Sequence, residues 1–163
     1  MLALIVAMAK NRAIGKEKDI PWRMSADLKN VKAKTTGKTI IMGRKTHESI
    51  LERVGGPLPH RRSIVITSQK DYQSPGVELV HSLEEALALL GADEGLIFGG
   101  ASVYAEALEK VERMYVTEID ALINGDTFFP AFDENEWNVI SKECHQKDDN
   151  NEYNYCFLEY ERR

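Results

Sequence analysis

Apolar residues fall in short runs separated by turn signals. "LALIVAM" (2–8), "TIIMG" (39–43), "SIVIT" (63–67), "VELV" (77–80) and "GLIF" (95–98) predict strands. Several lack polar alternation, the pattern of a strand covered on both faces, as in a parallel sheet. Between them, helical spacing marks 25–35, 45–52, 82–90 and 101–109. "SLEEALALL" opens with Ser82 and carries Glu85 three residues on, a capping box. Alternating strands and helices predict an α/β sheet with crossover helices.

The last third of the chain changes character. Segments 113–120, 137–145 and 153–163 alternate with polar residues and have no helix between them. They predict antiparallel strands added to one sheet edge. Two long irregular segments remain, 9–24 and 121–136, and loops of that length in a small domain tend to be functional.

Within the first helix, Met24, Leu28, Val31 and Thr35 form a mostly apolar stripe, and Asp27 lies along its edge. Two readings are open. Ser25 caps the helix and Asp27 is a first-turn acid favoured by the helix dipole, or Asp27 meets a cationic ligand group in a dry pocket.

The chain has 163 residues, enough for one domain with a real core. A formal charge of −5, with no basic tract to offset it, argues against a nucleic-acid partner. Two cysteines, Cys144 and Cys156, are too few for a disulfide framework, and reduced thiols in a cytosol are expected. In "MLALIVAMA", Ala7-Met8-Ala9 imitates a signal-peptidase site, but the run has no charged flank and is far shorter than the ~20 residues that span a bilayer. A buried strand is expected there.

Chemistry gathers at the strand ends. Gly43 is followed by Arg44, Lys45 and Thr46 at a helix start, which is either an anion site or a solvated basic turn. Thr67 and Ser68 end another strand and either donate to a phosphate or form a turn. In "LIFGGASVYAEAL" a strand runs into Gly99-Gly100 and a helix opens at Ala101, so the backbone can approach a ligand closely. Neither G-x-G-x-x-G nor a Walker sequence is present. Three anion-friendly strand ends in one α/β sheet together predict a phosphate-bearing cofactor. Arg61 and Arg62 either grip a carboxylate or are solubilising. His47, His60, His81 and His145 show no metal spacing; they read as surface or strand residues, with no metal site.

From end to end the chain resembles the bacterial type of dihydrofolate reductase. The matching segments are "LIVAMAKNRAIG", "IPW", "ADLKNVK", "IIMGRKTHESI", "PLPHRR", "IVITSQ", "IFGGASVY", "VTEID", "GDTFFP" and "YNYCFLEYERR", with one small insertion around "LERVGG". The resemblance implies a single α/β domain over 1–163. Its sheet has eight strands, mainly parallel, with an antiparallel C-terminal strand and four flanking helices, and residues of about 38–92 form an adenosine-binding lobe. It implies hydride transfer from NADPH to C6 of 7,8-dihydrofolate with protonation at N5, by a cytoplasmic monomer that also binds antifolates.

Carried onto this sequence, Asp27 binds the pterin 2-amino group and N3, Thr117 hydrogen-bonds Asp27, and Trp22 acts through an ordered water. Ile5 and Phe98 offer carbonyls, with Ala7 nearby. Leu28, Val31, Ile50 and Leu58 hold the pterin and benzoyl rings. Arg61 anchors the glutamate α-carboxylate, with Lys32 at the rim. Arg44, Lys45, Thr46, Thr67 and Ser68 take cofactor phosphates, and a 2′-phosphate contact among them favours NADPH over NADH. Gly43, and Gly99 to Val103 (Gly99, Gly100, Ala101, Ser102, Val103), border the pyrophosphate, with a cis Gly99–Gly100 bond; Ala7, Ile14, Gly15 and Tyr104 complete the cofactor site. Loop 9–24, with Ile20, closes over the nicotinamide. Asp126 bonds the backbone near Gly15 to hold that closure, or is a simple turn residue.

The chain departs from the family at several positions. Val31 replaces a frequent Phe, Ile20 a Met or Leu, Ser25 a Pro and His47 an aromatic residue, and Ser102 stands where some members place an arginine. Competing readings are a nucleotide-binding module without catalysis, and a reductase of another pterin or a pyrimidine.

Overall fold

In the computed structural model, residues 1–16 and 19–163 are described. β1 (Leu2–Ala9) is buried along most of its length, which is why "LALIVAMA" shows no polar alternation. Its side chains alternate between two apolar layers. Leu4 and Val6 join Ile41, Ile64, Ile97 and Met114 on one face. Ile5 joins Ile40, Met42, Val65 and Leu96 on the other. β3 (Thr39–Gly43), β4 (Arg62–Ile66) and β6 (Gly95–Gly99) supply these central layers. A buried Ile or Leu here contributes about 1.5–3 kcal/mol.

β5 (Glu78–Val80), β7 (Arg113–Ile119), β9 (Trp137–His145) and β10 (Tyr155–Arg162) complete an eight-stranded sheet of order β5-β4-β3-β6-β1-β7-β10-β9. Pairing is parallel from β5 through β7. β10 is antiparallel to both β7 and β9. This refines the sequence-based expectation for the tail. β7 continues the parallel sheet beside β1, because α4 (Ala101–Ala107) provides its crossover from β6. Only β10 runs opposite to the other strands of this sheet.

α1 (Ser25–Thr35), α2 (Arg44–Val54) and α3 (Leu83–Leu90) are the other helices. The Ser82 hydroxyl accepts from the Glu85 N–H at 3.1 Å, as the sequence predicts, and Glu85 returns a bond to the His81 N–H. α3 and α4 pack Leu83, Ala86, Leu90, Val103 and Ala107 on the layer that holds Leu4. Val31 of α1 and Ile50 of α2 border the opposite layer, which is the side left open for a site.

Two sequence-based expectations are corrected. Cys144 and Cys156 are joined in a disulfide rather than reduced. They lie directly opposite on β9 and β10, with Cα atoms 4.0 Å apart, a register that a bulge between Glu159 and Tyr160 hides from sequence. His47 is no surface residue. It is 1% exposed, on the inner face of α2, with Nε2 2.8 Å from the Ser74 hydroxyl. Among the described residues no helix is long and apolar enough to cross a membrane, and no cluster of His, Cys, Asp and Glu could hold a metal.

Candidate active site

The start of α1 is capped from a distance. Met24, not Ser25, occupies the N-cap position and offers no side-chain bond. Asn151 Oδ1 accepts from the Ala26 N–H at 2.9 Å, and the Asn150 carbonyl accepts from Ser25. Asn151 lies far along the chain, so no local sequence signal announces it. With the cap supplied, Asp27 is not needed for that purpose.

Asp27 instead turns inward. It is 5% exposed and is the one acidic side chain buried among the described residues. The inner line of α1 runs through Met24, Asp27, Val31 and Thr35, while Leu28, placed on the core stripe by sequence, is 61% exposed. The sheet takes the side of the helix that carries Asp27, which leaves Leu28 at the rim of the opening. Burial pushes the Asp27 carboxyl above its ordinary range, and a hydrogen bond from Thr117 pulls the other way. Thr117 is held beside Ala7 by the β1–β7 register.

Two buried polar atoms in this region find no partner among the described residues, Asp27 Oδ1 and Trp22 Nε1. One is an acceptor and the other a donor. A buried polar atom left unpaired costs about 1–3 kcal/mol, so native chains keep few of them outside binding sites. The Ile5 carbonyl is paired: it accepts from the Tyr104 hydroxyl at 2.7 Å. Burial, with Asp27 nearby, keeps that phenol protonated. Around Ile5 the half-buried side chains of Val31, Ile50, Leu58 and Phe98 form apolar walls, bringing together five residues singled out in the sequence.

Neighbouring arginines have separate tasks. Arg62 is fully engaged in a fork on Glu78 and a bond to the Leu89 carbonyl. Arg61 meets no carboxylate among the described residues. Its Nε donates to Thr35 Oγ1 at 2.8 Å and its Nη1 to the Pro59 carbonyl at 2.9 Å. Partial burial lowers its pKa from the ordinary value. These bonds aim a guanidinium at the end of the α1 cleft with its charge unpaired, suited to a carboxylate. Thr35 is thus a positioning residue that the sequence disguised as part of an apolar stripe. Lys32 is exposed one turn earlier.

A second set lies at the carboxyl ends of β3, β4 and β5. Gly43 is in register with Ile66, and Ile66 with Val80, so the residues that follow them stand side by side. These are Arg44–Thr46, Thr67–Ser68 and His81. The α1 and α3 starts are capped by Asn151 and Ser82, whereas the α2 and α4 starts have glycine N-caps and no side-chain bond. Open N–H groups beside Arg44 and the exposed Lys45 fit a phosphate. Arg44 rests on Glu48 at 2.6 Å, an i,i+4 pair whose release costs about 0.3–0.5 kcal/mol.

The Gly99–Gly100 peptide is cis, as the resemblance implies, and Gly99 has φ +119°, open only to glycine. A Cβ on Gly99 or Gly100 would lie 3.5 or 3.4 Å from Thr46 Oγ1, so bare backbone lines this passage. Ala101 is half-buried and Ser102 exposed, but Val103 and Tyr104 point into the core. Val103 therefore offers backbone, not side chain. Ser68 is exposed, while Thr67 is buried and spends its oxygen on the Gln69 N–H at 3.0 Å, the turn role. His81, placed among surface or strand residues by the sequence, is exposed, and its Nδ1 lies 2.8 Å from the Thr67 carbonyl, which fixes the ring at this shelf. Only the pairing of β4 with β5 reveals it.

The two long loops meet through β2 (Ala13–Gly15) and β8 (Thr127–Phe128). The Asp126 N–H donates to the Gly15 carbonyl at 3.0 Å, and its side chain accepts from Thr127 Oγ1. The first of these bonds links position 126 to Gly15 through main-chain atoms. A Cβ on Gly125 would lie 2.7 Å from that same Gly15 oxygen, so glycine permits the approach. Ile14 packs at the core edge and Ile20 is 39% exposed. Glu17 and Lys18, within loop 9–24, lie outside the described residues.

The chain is similar in sequence and in fold to known proteins. The sequence profile of the dihydrofolate reductase family matches residues 1–162. The type 3 dihydrofolate reductase of Salmonella typhimurium is 44% identical, covering 100% of this chain and 99% of its own. That of Bacillus subtilis (strain 168) is 43% identical over 100% of this chain and 95% of its own. Among solved structures, the dihydrofolate reductase of Enterococcus faecalis, complexed with NADP(H) and RAB-propyl, superimposes with a TM-score of 0.92 at 38% identity. That superposition covers 100% of this chain and 96% of the other. The chain belongs to the dihydrofolate reductase family.

Proposed function

We infer that this protein reduces 7,8-dihydrofolate to tetrahydrofolate with NADPH. The observation that carries the reading is Asp27, a buried carboxylate with one unpartnered oxygen, held beside Thr117 at the edge of an apolar cleft.

Asp27 accepts from the pterin 2-amino group and N3. In a low-dielectric pocket its charge favours the cationic pterin that forms as N5 gains a proton. Bound NADPH supplies the hydride for C6. Asp27 sets the electrostatics and water is the immediate proton donor, with the Trp22 N–H placed to hold one. Ile5, Val31, Ile50, Leu58 and Phe98 keep the ring dry, and Leu28 covers its rim. Arg61 receives the glutamate α-carboxylate, and Lys32 adds charge outside it.

Arg44, Lys45, Thr46 and Ser68 take the phosphates, with Thr67 shaping their turn. Gly43 and the Gly99–Ser102 backbone flank the pyrophosphate, and Ala7, Ile14 and Gly15 border the nicotinamide. Residues of about 38–92 act as the adenosine-binding lobe, supported by the grouping of β3, β4 and β5 at one end of the sheet. The Asp126–Gly15 link supports a closing role for loop 9–24 with Ile20. The protein acts as a cytoplasmic monomer on small molecules, antifolates included, without nucleic acid; the acidic balance supports the last point.

The test is NADPH absorbance followed with and without dihydrofolate. Oxidation that requires both supports the reading. Purified, folded protein that binds NADPH but leaves dihydrofolate unreduced contradicts it.

A further inference from the structure

Helix α2 carries the cationic residues of the phosphate shelf at its start, and the segment after β4 carries Ser68 opposite them. The sheet register sets the two side by side up to the last paired residues, Gly43 and Ile66, and beyond them contacts outside the ladder hold the spacing. His47, immediately after Thr46, is buried, and its Nε2 lies 2.8 Å from the hydroxyl of Ser74 in the segment following Ser68. Farther along, Pro57 stands against Gly76, 3.2 Å from where a Cβ would lie. Segment 68–76 is therefore tied to α2 near the helix start and again just beyond its end.

We propose that the His47–Ser74 hydrogen bond is a clamp that fixes the gap between the α2 start and segment 68–76, and so the fit of the shelf for a dinucleotide bearing a 2′-phosphate. This rests on the assignment of Arg44, Lys45 and Ser68 to the cofactor phosphates.

A phosphate bridging both sides reads that gap, because charge-assisted hydrogen bonds weaken steeply as donors move from about 2.8 Å. A dinucleotide with a plain ribose bridges it with hydroxyls alone and loses less. The clamp is built for one geometry. Burial pushes the His47 imidazolium down, so the ring is neutral, and Glu48 only partly opposes this. A neutral ring with one polar partner positions without adding charge to the shelf. His47 is buried on the inner face of α2 with its ring bonded to Ser74, so it acts as a positioning residue.

The test uses the purified full chain and measures Kd for NADPH and NADH by quenching of tryptophan fluorescence, with kcat at saturation as a second readout. His47→Phe keeps an aromatic of similar size and removes the bond, Ser74→Ala removes it from the other side, and His47→Gln restores an N–H of comparable reach. Loss of one hydrogen bond corresponds to about tenfold in affinity. The expected result is about tenfold weaker NADPH in the first two variants, less than about twofold change for NADH, unchanged kcat, and recovery in His47→Gln. Additivity is informative too: the double variant should be no worse than either single. Equal losses for both dinucleotides, or no loss, overturn the clamp. Wild-type protein that does not prefer NADPH overturns the phosphate assignment itself, a distinguishable failure.

Discussion

Tyr104 donates its hydroxyl proton to the carbonyl of Ile5 at 2.7 Å, across 99 residues of sequence. The bond joins α4, which starts at the Gly99–Gly100 passage, to the central strand under the cleft. Tyr104→Phe keeps the ring, including its tilted packing on Phe129 at 5.2 Å, and removes only the bond. It leaves a buried carbonyl unpaired, at a cost of about 1–3 kcal/mol. The expected outcome is a Tm lower by roughly 2–10 °C in a thermal melt, with kcat reduced and the KM for NADPH raised. An unchanged melt would show that water replaces the hydroxyl.

Arg61 meets no carboxylate among the described residues, and its guanidinium is oriented by Thr35 and Pro59. Arg61→Leu should raise KM for dihydrofolate by about 10–100-fold, as expected for a lost charge-assisted bond. A dihydropterin lacking the glutamate should react equally well with both proteins. Thr35→Val should give a smaller effect in the same direction. Equal losses on both substrates would mean that Arg61 serves the fold.

Cys144–Cys156 closes a short loop between β9, the exposed edge strand, and β10, with 12 residues of separation. A cross-link of this loop size contributes about 3 kcal/mol in the chain-entropy account. Incubation with dithiothreitol, or Cys144→Ser, should lower Tm by roughly 5–10 °C. Activity at 25 °C should persist, because the strand lies at the far edge from the cofactor end. A melt insensitive to reductant would contradict the cross-link.

Buried Asp27 should weaken the free protein. Its folded-state pKa is raised by burial, so the folded state binds more protons than the unfolded state above the ordinary carboxylate value of 3.8. Stability then falls as pH rises through the window between 3.8 and the folded value. Asp27→Asn removes the titrating carboxyl. The variant is expected to melt above wild type at pH 7, with the difference shrinking as pH approaches 4. A variant less stable than wild type at pH 7 would mean that Thr117 outweighs burial.

Strands and helices were legible because the core layers impose uninterrupted apolar runs on β1, β3, β4 and β6. The site was legible at Gly99–Gly100, where paired glycines between a strand and a helix mark bare backbone. It was less so where a partner comes from elsewhere in the chain. Asn151 caps α1, Thr35 aims Arg61, and Ser74 bonds His47, and each pairing depends on tertiary register. The Cys144–Cys156 bond was missed for the same reason. Leu28 was misplaced because helical spacing defines a stripe but not which edge of it the sheet will cover.

The most direct measurement is the pH profile of kcat/KM for dihydrofolate reduction in wild type and Asp27→Asn. If Asp27 favours the protonated pterin, the variant should lose at least about 100-fold at pH 7, and the loss should shrink as acid pre-protonates the substrate. A variant with unchanged activity at pH 7, or one whose deficit is the same at every pH, would contradict the role assigned to Asp27.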